Sequence, residues 1–325
     1  MSDTTITTVV PNFNHSKYLP VALRSILAQS RPCDELIVID DSSSDCSIDV
    51  IKSLISGHAN ARLIVNSERV GCNANMNTGL RLAKGALIHF AAADDVFGRD
   101  LYLTAVALLD AHPDAALFSS RSDIIDGEGR SIGRAMPEFG YPLEIEGFLS
   151  PAASVRKLIR RDSWFMGNCT VYRTALLREE GGIPEELFSL ADGFVSRRLA
   201  LKYGVCFSPK IHGSWRKTGS GMAESTVQNP KAASAYIAAA ERRMMAEPSV
   251  FPSKYVKRWK GRQEFLVRRD RQNFSTLSRG LRTMEIARWK LGNVALALVL
   301  RPWDICPSAW DKIMRALCAR RRVTD

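Results

Sequence analysis

Two hydrophobic periods alternate along the first two hundred residues. Thr5–Val10, Leu36–Ile39, Arg62–Val65, Ala86–Ala91 and Ala115–Ser119 are short runs rich in Val, Ile, Leu and Ala that read as buried strands. Between them the apolar positions fall three and four apart. Leu19, Leu23, Ile26 and Leu27 form one helical stripe, with Pro20 tolerated in its first turn. Ile48, Ile51, Leu54 and Ile55 form the next, behind the cap-rich stretch Ser42-Ser43-Ser44-Asp45. Asn73–Lys84 reads as a helix stopped by Gly85, and Leu101–Ala111 as a helix closed by Pro113. Strands alternating with helices predict a mostly parallel sheet with right-handed crossovers.

Residues 120–165 lose this rhythm and are rich in Gly, Pro and charge, as loops around a site are. Thr170–Glu179 and Gly193–Lys202 read as helices, with Val205–Ser208 a short strand after them. From residue 230 the pattern is helical: an Ala-rich stretch at 231–246, then basic amphipathic stretches at 254–274, 281–300 and 307–319. The expected division is an α/β unit over 1–229 and a basic helical unit over 230–325.

Charge sharpens that division. The net +11 is uneven: residues 1–229 hold 24 Lys/Arg against 26 Asp/Glu, and residues 230–325 hold 21 against 8. An excess of +13 in the last third points to an anionic partner surface. Hydrophobic content of 46% and charged content of 24% are those of an ordinary globular chain. Ser2-Asp3-Thr4-Thr5 offers neither a positive n-region nor an apolar h-region, and the seven cysteines include no C-x-x-C pair. A cytoplasmic protein without a disulfide framework or zinc site is expected.

Two of the strands end in aspartate pairs, Asp40-Asp41 and Asp94-Asp95. Carboxylates at the carboxyl ends of parallel strands stand where open α/β sheets bind ligands. Oxygen ligands there suit a divalent cation shared with phosphate. A helix cap or solvated turn is the competing reading of each pair, and Asp40 in particular can cap the next helix. Phe13, after the first strand, can stack on a base or pack in the core. Asp192, at the start of a helix, can be a cap or a general base brought in by a distant element.

Taken together, Val10-Pro-Asn-Phe-Asn14, Ile37-Val-Ile-Asp-Asp-Ser42, Asn77-Thr-Gly79 with Ala83-Lys-Gly85, Ala93-Asp94-Asp95, and Ala191-Asp192 leading into Arg198–Gly204 resemble inverting family-2 glycosyltransferases. The resemblance covers about residues 5–222. It implies an α/β fold of the GT-A, Rossmann-like, nucleotide-diphospho-sugar transferase type, with a C-terminal helical extension. It implies a hexosyltransferase moving one sugar from a nucleotide-diphosphate sugar, a UDP-sugar first of all, to a saccharide or lipid-linked acceptor in bacterial surface polysaccharide biosynthesis. Pro11, Phe13, Asp41, Asn77 and Asp94 would bind the nucleotide sugar, Asp94 and Asp95 would hold Mn2+ or Mg2+, and Asp192 would be the catalytic base. The chain departs from the family pattern at Ala92, Met76, Ala191 and Thr218, where the family often carries Asp, Arg, an acid and His. The Gln-x-x-Arg-Trp signature of processive synthases is missing, which favours single-sugar transfer.

Two other classes compete. A nucleotidyltransferase also uses carboxylates and a divalent cation, but its usual Gly-rich basic loop finds no match in Pro11–His15. A nucleic-acid-binding protein would explain the basic tail, yet the basic residues alternate with apolar helical stripes, and no nucleic acid partner is expected. Met284, Ala287, Leu291, Val294 and Leu298, with Trp289, Trp303 and Trp310, instead suit peripheral docking on the anionic inner face of a membrane. The alternative is that these helices pack on the α/β unit or form a homo-oligomer.

Overall fold

The computed structural model describes residues 3–134, 142–162, 165–219 and 221–271. Ile6–Asn12 (β1), Leu19–Leu27 (α1), Glu35–Asp40 (β2), Ser47–Ile55 (α2), Ala61–Val65 (β3), Cys72–Leu82 (α3) and Leu87–Phe90 (β4) come first. Val96–Phe97 (β5), Leu101–Ala111 (α4), Leu117–Ile125 (β6), Ser131–Arg134 (β7), Gly147–Leu149 (β8) and Pro151–Arg160 (α5) follow. Val171–Arg173 (β9), Thr174–Glu179 (α6), Ala191–Tyr203 (α7) and Val205–Arg216 (β10) complete the sheet and its cover. Met222–Gln228 (α8), Pro230–Ala246 (α9) and Ser253–Arg271 (α10) end the described chain.

Among the described residues one mixed sheet runs in the order β3-β2-β1-β4-β9-β6-β10-β5, with β7 paired to β6 and β8 to β10. β3, β2, β1 and β4 are mutually parallel, as are β6 and β10; β9 enters antiparallel between β4 and β6. Successive side chains of a strand point to opposite faces. Val9, Ile37 and Ile88 therefore join one apolar cluster, while Val10, Leu36, Val38 and Leu87 join the other. Because helices cover both faces, the central strands are buried on both sides rather than alternating, and β2 is buried along its whole length. α1 buries Leu19, Ala22, Leu23 and Ile26, the stripe expected from the sequence. α3 lies close on β1 because position 79 is glycine: a β-carbon there would stand 2.3 Å from Val9 Cγ1.

Three expectations are corrected. Residues 120–165 are not all loop. β6 runs on to Ile125 through Ser119-Ser120-Arg121-Ser122-Asp123, whose polar composition hides a strand paired on both sides. α5 begins at Pro151, with the Ser150 hydroxyl accepting from the Ala153 amide. Thr170–Glu179 is helical only from Thr174, because Val171–Arg173 pairs with both β4 and β6. β10 extends to Arg216. Its register shifts between Ser208 and Ile211, where Pro209 cannot donate to the ladder, and that irregularity hid the strand.

The helices after residue 230 continue the core. Ile237, Met244, Phe251, Tyr255 and Trp259 are buried in the cluster that contains Leu117, Tyr172 and Phe207. The boundary expected at 229/230 therefore does not separate two cores. The stretches 281–300 and 307–319 lie outside the described residues. No described helix is long and apolar enough to cross a membrane.

Candidate active site

The parallel register puts the carboxyl ends of β1, β2 and β4 on one edge: Asn12 pairs with Asp40, Pro11 with Ile39 and Val9 with Phe90. Pro11 is thus in strand β1, which runs two residues beyond the expected Thr5–Val10. The segments leaving this edge carry Phe13, Asp41, Asp94 and Asp95.

Asp40 and Asp41 divide the work between them. Asp40 is fully buried and accepts from the Ser43 amide and hydroxyl and from Asn12 Nδ2, which closes the turn after β2. Asp41, 3% exposed, accepts from Asn66 Nδ2 at 2.9 Å, the Val70 amide at 2.9 Å and the Gly71 amide at 2.8 Å. Burial alone would raise its carboxyl. The hydrogen bonds from the Val70 amide, Asn66 and the Gly71 amide outweigh that and hold it below the usual 3.8. Asp41 is therefore an ionised anchor for the loop that enters α3. Nearby, the Arg69 guanidinium lies 3.9 Å from the centroid of the half-buried Phe13 ring.

Asp94 and Asp95 sit in the turn between β4 and β5. Asp95, 2% exposed, accepts from the Arg216 amide at 2.8 Å, and Arg216 Nε donates to the Asp94 carbonyl at 2.6 Å. Arg216 Nη1 also reaches the carbonyl of Asp126 at 2.9 Å. Burial raises both carboxyls above the ordinary range, and for Asp95 the charge of Asp94 raises it further. Two crowded, destabilised carboxyls suit a hard cation, which would relieve both. Among the described residues no three His, Cys, Asp or Glu side chains form a ready cage.

Asp192 is the second residue of α7. It does not cap that helix, whose N-cap is Leu190 without a side-chain bond. Its Oδ1 accepts from the next amide, Gly193, at 2.6 Å, and burial raises its carboxyl. The thiol of Cys72, first residue of α3, is pushed up to about 12 by desolvation and then by the charges of Asp192, Asp41 and Asp94, in that order.

Asn77 stands apart. Its carboxamide donates to the Ile183 carbonyl and Glu185 and accepts from the Ile183 amide, each at 2.9 Å. The side chain expected on the donor is engaged by the loop that leads toward Asp192. Sequence reasoning missed Asn66, Asn75 and Asn168. Asn66 follows β3 directly, so an Asn at a strand's carboxyl end was the available signal. Asn168 had none, lying in a three-residue 3-10 turn, Gly167–Cys169, beyond the unpatterned region.

The profile of the family described as "Glycosyl transferase family 2" matches residues 7–177. An uncharacterized protein of Mycobacterium tuberculosis is 30% identical over 218 residues, 63% of this chain and 64% of its own. The poly(ribitol-phosphate) beta-N-acetylglucosaminyltransferase TarS of Staphylococcus aureus is 26% identical over 188 residues, 57% of this chain and 30% of its own. This chain therefore spans under two thirds of either relative. Among solved structures, the mannosyltransferase PcManGT from Pyrobaculum calidifontis in complex with GDP-Man and Mn2+ superposes with a TM-score of 0.60 at 20% identity, covering 92% of this chain and 79% of that one. S. aureus TarS 1–349 in complex with UDP-GlcNAc gives 0.56 at 21% identity, covering 72% and 66%. The fold is that of the GT-A glycosyltransferases, and the chain belongs to glycosyl transferase family 2.

Proposed function

We propose that this chain is an inverting, cation-assisted hexosyltransferase that moves one sugar from a UDP-sugar to a saccharide or lipid-linked acceptor in building a bacterial surface polysaccharide. The observation that carries this reading is that the parallel register brings the carboxyl ends of β2 and β4 to one edge of the sheet, where Asp41, Asp94 and Asp95 follow. TarS, solved with UDP-GlcNAc, supports the uridine choice, and PcManGT, solved with GDP-Man, supplies the competing nucleotide.

Phe13 and Pro11 would flank the base, and Asp41 would fix the loop beside it. Asp94 and Asp95 would hold Mn2+ or Mg2+, which when bound neutralises charge on the diphosphate leaving group. Asp192 would accept the acceptor hydroxyl proton on its carboxylate. The acceptor oxygen then bonds to the anomeric carbon as the bond from that carbon to the phosphate oxygen breaks. One in-line displacement inverts the centre. A raised carboxyl suits this work, since a base is most effective with its pKa nearer the working pH. The basic C-terminal region, residues 230–325, would dock the enzyme on an anionic inner membrane surface, where each Lys or Arg contributes about 1 kcal/mol.

The test is a panel of nucleoside-diphosphate sugars offered with Mn2+, with nucleotide release followed. Turnover of a UDP-sugar, with an inverted product by NMR, supports the reading. Binding of DNA with no nucleotide-sugar turnover would move the function to the basic tail.

A further inference from the structure

The 3-10 turn Gly167–Cys169 touches both halves of the proposed machinery. On one side Gly167 lies against Asp192: a β-carbon at position 167 would stand 2.2 Å from Asp192 Oδ2. Gly167 is not among the residues with positive φ, so its backbone conformation does not require glycine. What a β-carbon there would displace is the tip of the Asp192 side chain. On the other side Asn168 Nδ2 donates to Ser122 Oγ at 3.3 Å, and the Asn168 side chain works against the burial and the Asp94 charge that raise the Asp95 carboxyl. The turn is wedged from below, where a β-carbon on Gly213 would meet Cys169 Sγ at 2.5 Å.

A fully buried histidine anchors the turn. His89 Nε2 lies 3.0 Å from the Asn168 carbonyl, which can only accept, so Nε2 carries the proton. Nδ1 therefore accepts from Tyr102 Oη at 3.0 Å, and Tyr102 Oη accepts from Thr8 Oγ1 at 2.7 Å. Burial pushes His89 down to about 4, so the imidazole stays neutral and the chain of donors keeps one direction. Neither Gly167 nor His89 belongs to the motifs that carry the family resemblance.

We propose that this turn, anchored by His89, is the positioning element that sets Asp192 relative to Asp95, and that Gly167 is the residue whose missing side chain admits the base. The inference rests on the general-base reading of Asp192. It adds two positioning residues to that reading.

The experiment compares wild type, Gly167→Ala, Asp192→Gly and the double variant as full chains. Thermal unfolding and calorimetric binding of UDP with Mn2+ are read on all four, with kcat and KM on the UDP-sugar that the wild type turns over fastest. Gly167→Ala is expected to lower the unfolding temperature in the wild-type background but not beside Asp192→Gly. It should lower kcat at least tenfold with donor KM within twofold. His89→Leu should also lower kcat, and His89→Gln, which keeps a donor toward Asn168 and an acceptor toward Tyr102, should restore it. Equal unfolding shifts in both backgrounds, or wild-type kcat in Gly167→Ala, would overturn the proposal. If Asp192→Asn is inactive while Gly167→Ala is unimpaired, only the positioning proposal fails. If Asp192→Asn turns over normally, the base reading itself fails.

Discussion

Arg197 and Asp162 form a buried ion pair, Nε to Oδ1 at 2.7 Å with side chains 11% and 1% exposed, one helical turn beyond Asp192. Tyr255 of α10 donates to the other Asp162 oxygen at 3.0 Å, and Arg197 Nη1 donates to the Gly193 carbonyl at 2.7 Å. The C-terminal helices are thereby tied to the start of α7. Desolvation works against the Arg197 charge, but Asp162 beside it keeps the guanidinium firmly protonated.

Removing one partner of such a pair leaves a buried, uncompensated charge. Asp162→Ala is expected to lose about 3–5 kcal/mol. Tyr255→Phe, which removes one hydrogen bond, should lose about 0.5–1.5 kcal/mol. Urea unfolding of the two variants measures both. A loss in Asp162→Ala no larger than that expected for Tyr255→Phe would show that the pair contributes little.

Asp192→Asn is expected to lower turnover about 10²–10⁴-fold, the usual worth of a general base. UDP binding should change little. Because burial raises the Asp192 carboxyl above 3.8, the rate should climb with pH through an acidic limb lying above that value. For stability the sign is reversed. A carboxyl raised on folding stabilises most when protonated, and its contribution is lost as pH rises through the folded value. Asp192→Asn should therefore unfold at a higher temperature than wild type at neutral pH. A variant no more stable than wild type would contradict the buried-charge account.

Asp41 behaves in the opposite way. Its carboxyl is lowered, so its contribution is complete above 3.8 and disappears as pH falls through the folded value below that. Asp41→Asn should unfold more easily than wild type at neutral pH, with the gap closing in acid. The same substitution should weaken UDP binding by loosening the loop at Val70 and Gly71. Phe13→Ala should weaken it by removing the ring under Arg69. Calorimetry with UDP and GDP measures both effects, and tighter GDP than UDP binding would overturn the base assignment.

Much of the fold was legible because the central strands are buried on both faces. Leu36–Ile39 and Ala86–Ala91 had no polar residue to confuse the period, apart from His89. The bounds of α1, α2 and α4 followed from apolar spacing and Pro or Gly punctuation. Legibility failed where tertiary pairing overrides local pattern. Val171–Arg173 is a strand only because β4 and β6 flank it, and β6 beyond Ser119 reads as polar although Ser119, Ser120 and Ser122 are buried. The carboxylates Asp41, Asp94 and Asp192 could be named as candidates from sequence, since each lies close to the end of an apolar run or the start of a helix. Their supports could not. Asn66, Asn168, His89 and Gly167 act across 9 to 79 residues of chain or more, through contacts such as His89 with Asn168, that no local spacing encodes.

The basic tail gives a separate prediction. The full chain should sediment with anionic vesicles at low salt and be released at high salt, because surface charges are screened within about 10 Å at 0.1 M. Neutral vesicles should not bind it. Equal binding to both, or none to anionic vesicles at low salt, would remove the membrane from the account.

The most direct measurement is calorimetric titration of UDP, with and without Mn2+, into wild type, Asp94→Ala and Asp95→Ala. The wild type should bind UDP with Mn2+ at least tenfold more tightly than UDP alone. Both variants should lose that difference while keeping the weaker metal-free binding and a folded far-UV spectrum. Wild-type affinity for UDP with Mn2+ in both variants would show that this carboxylate pair does not hold the cation, and would contradict the proposed site.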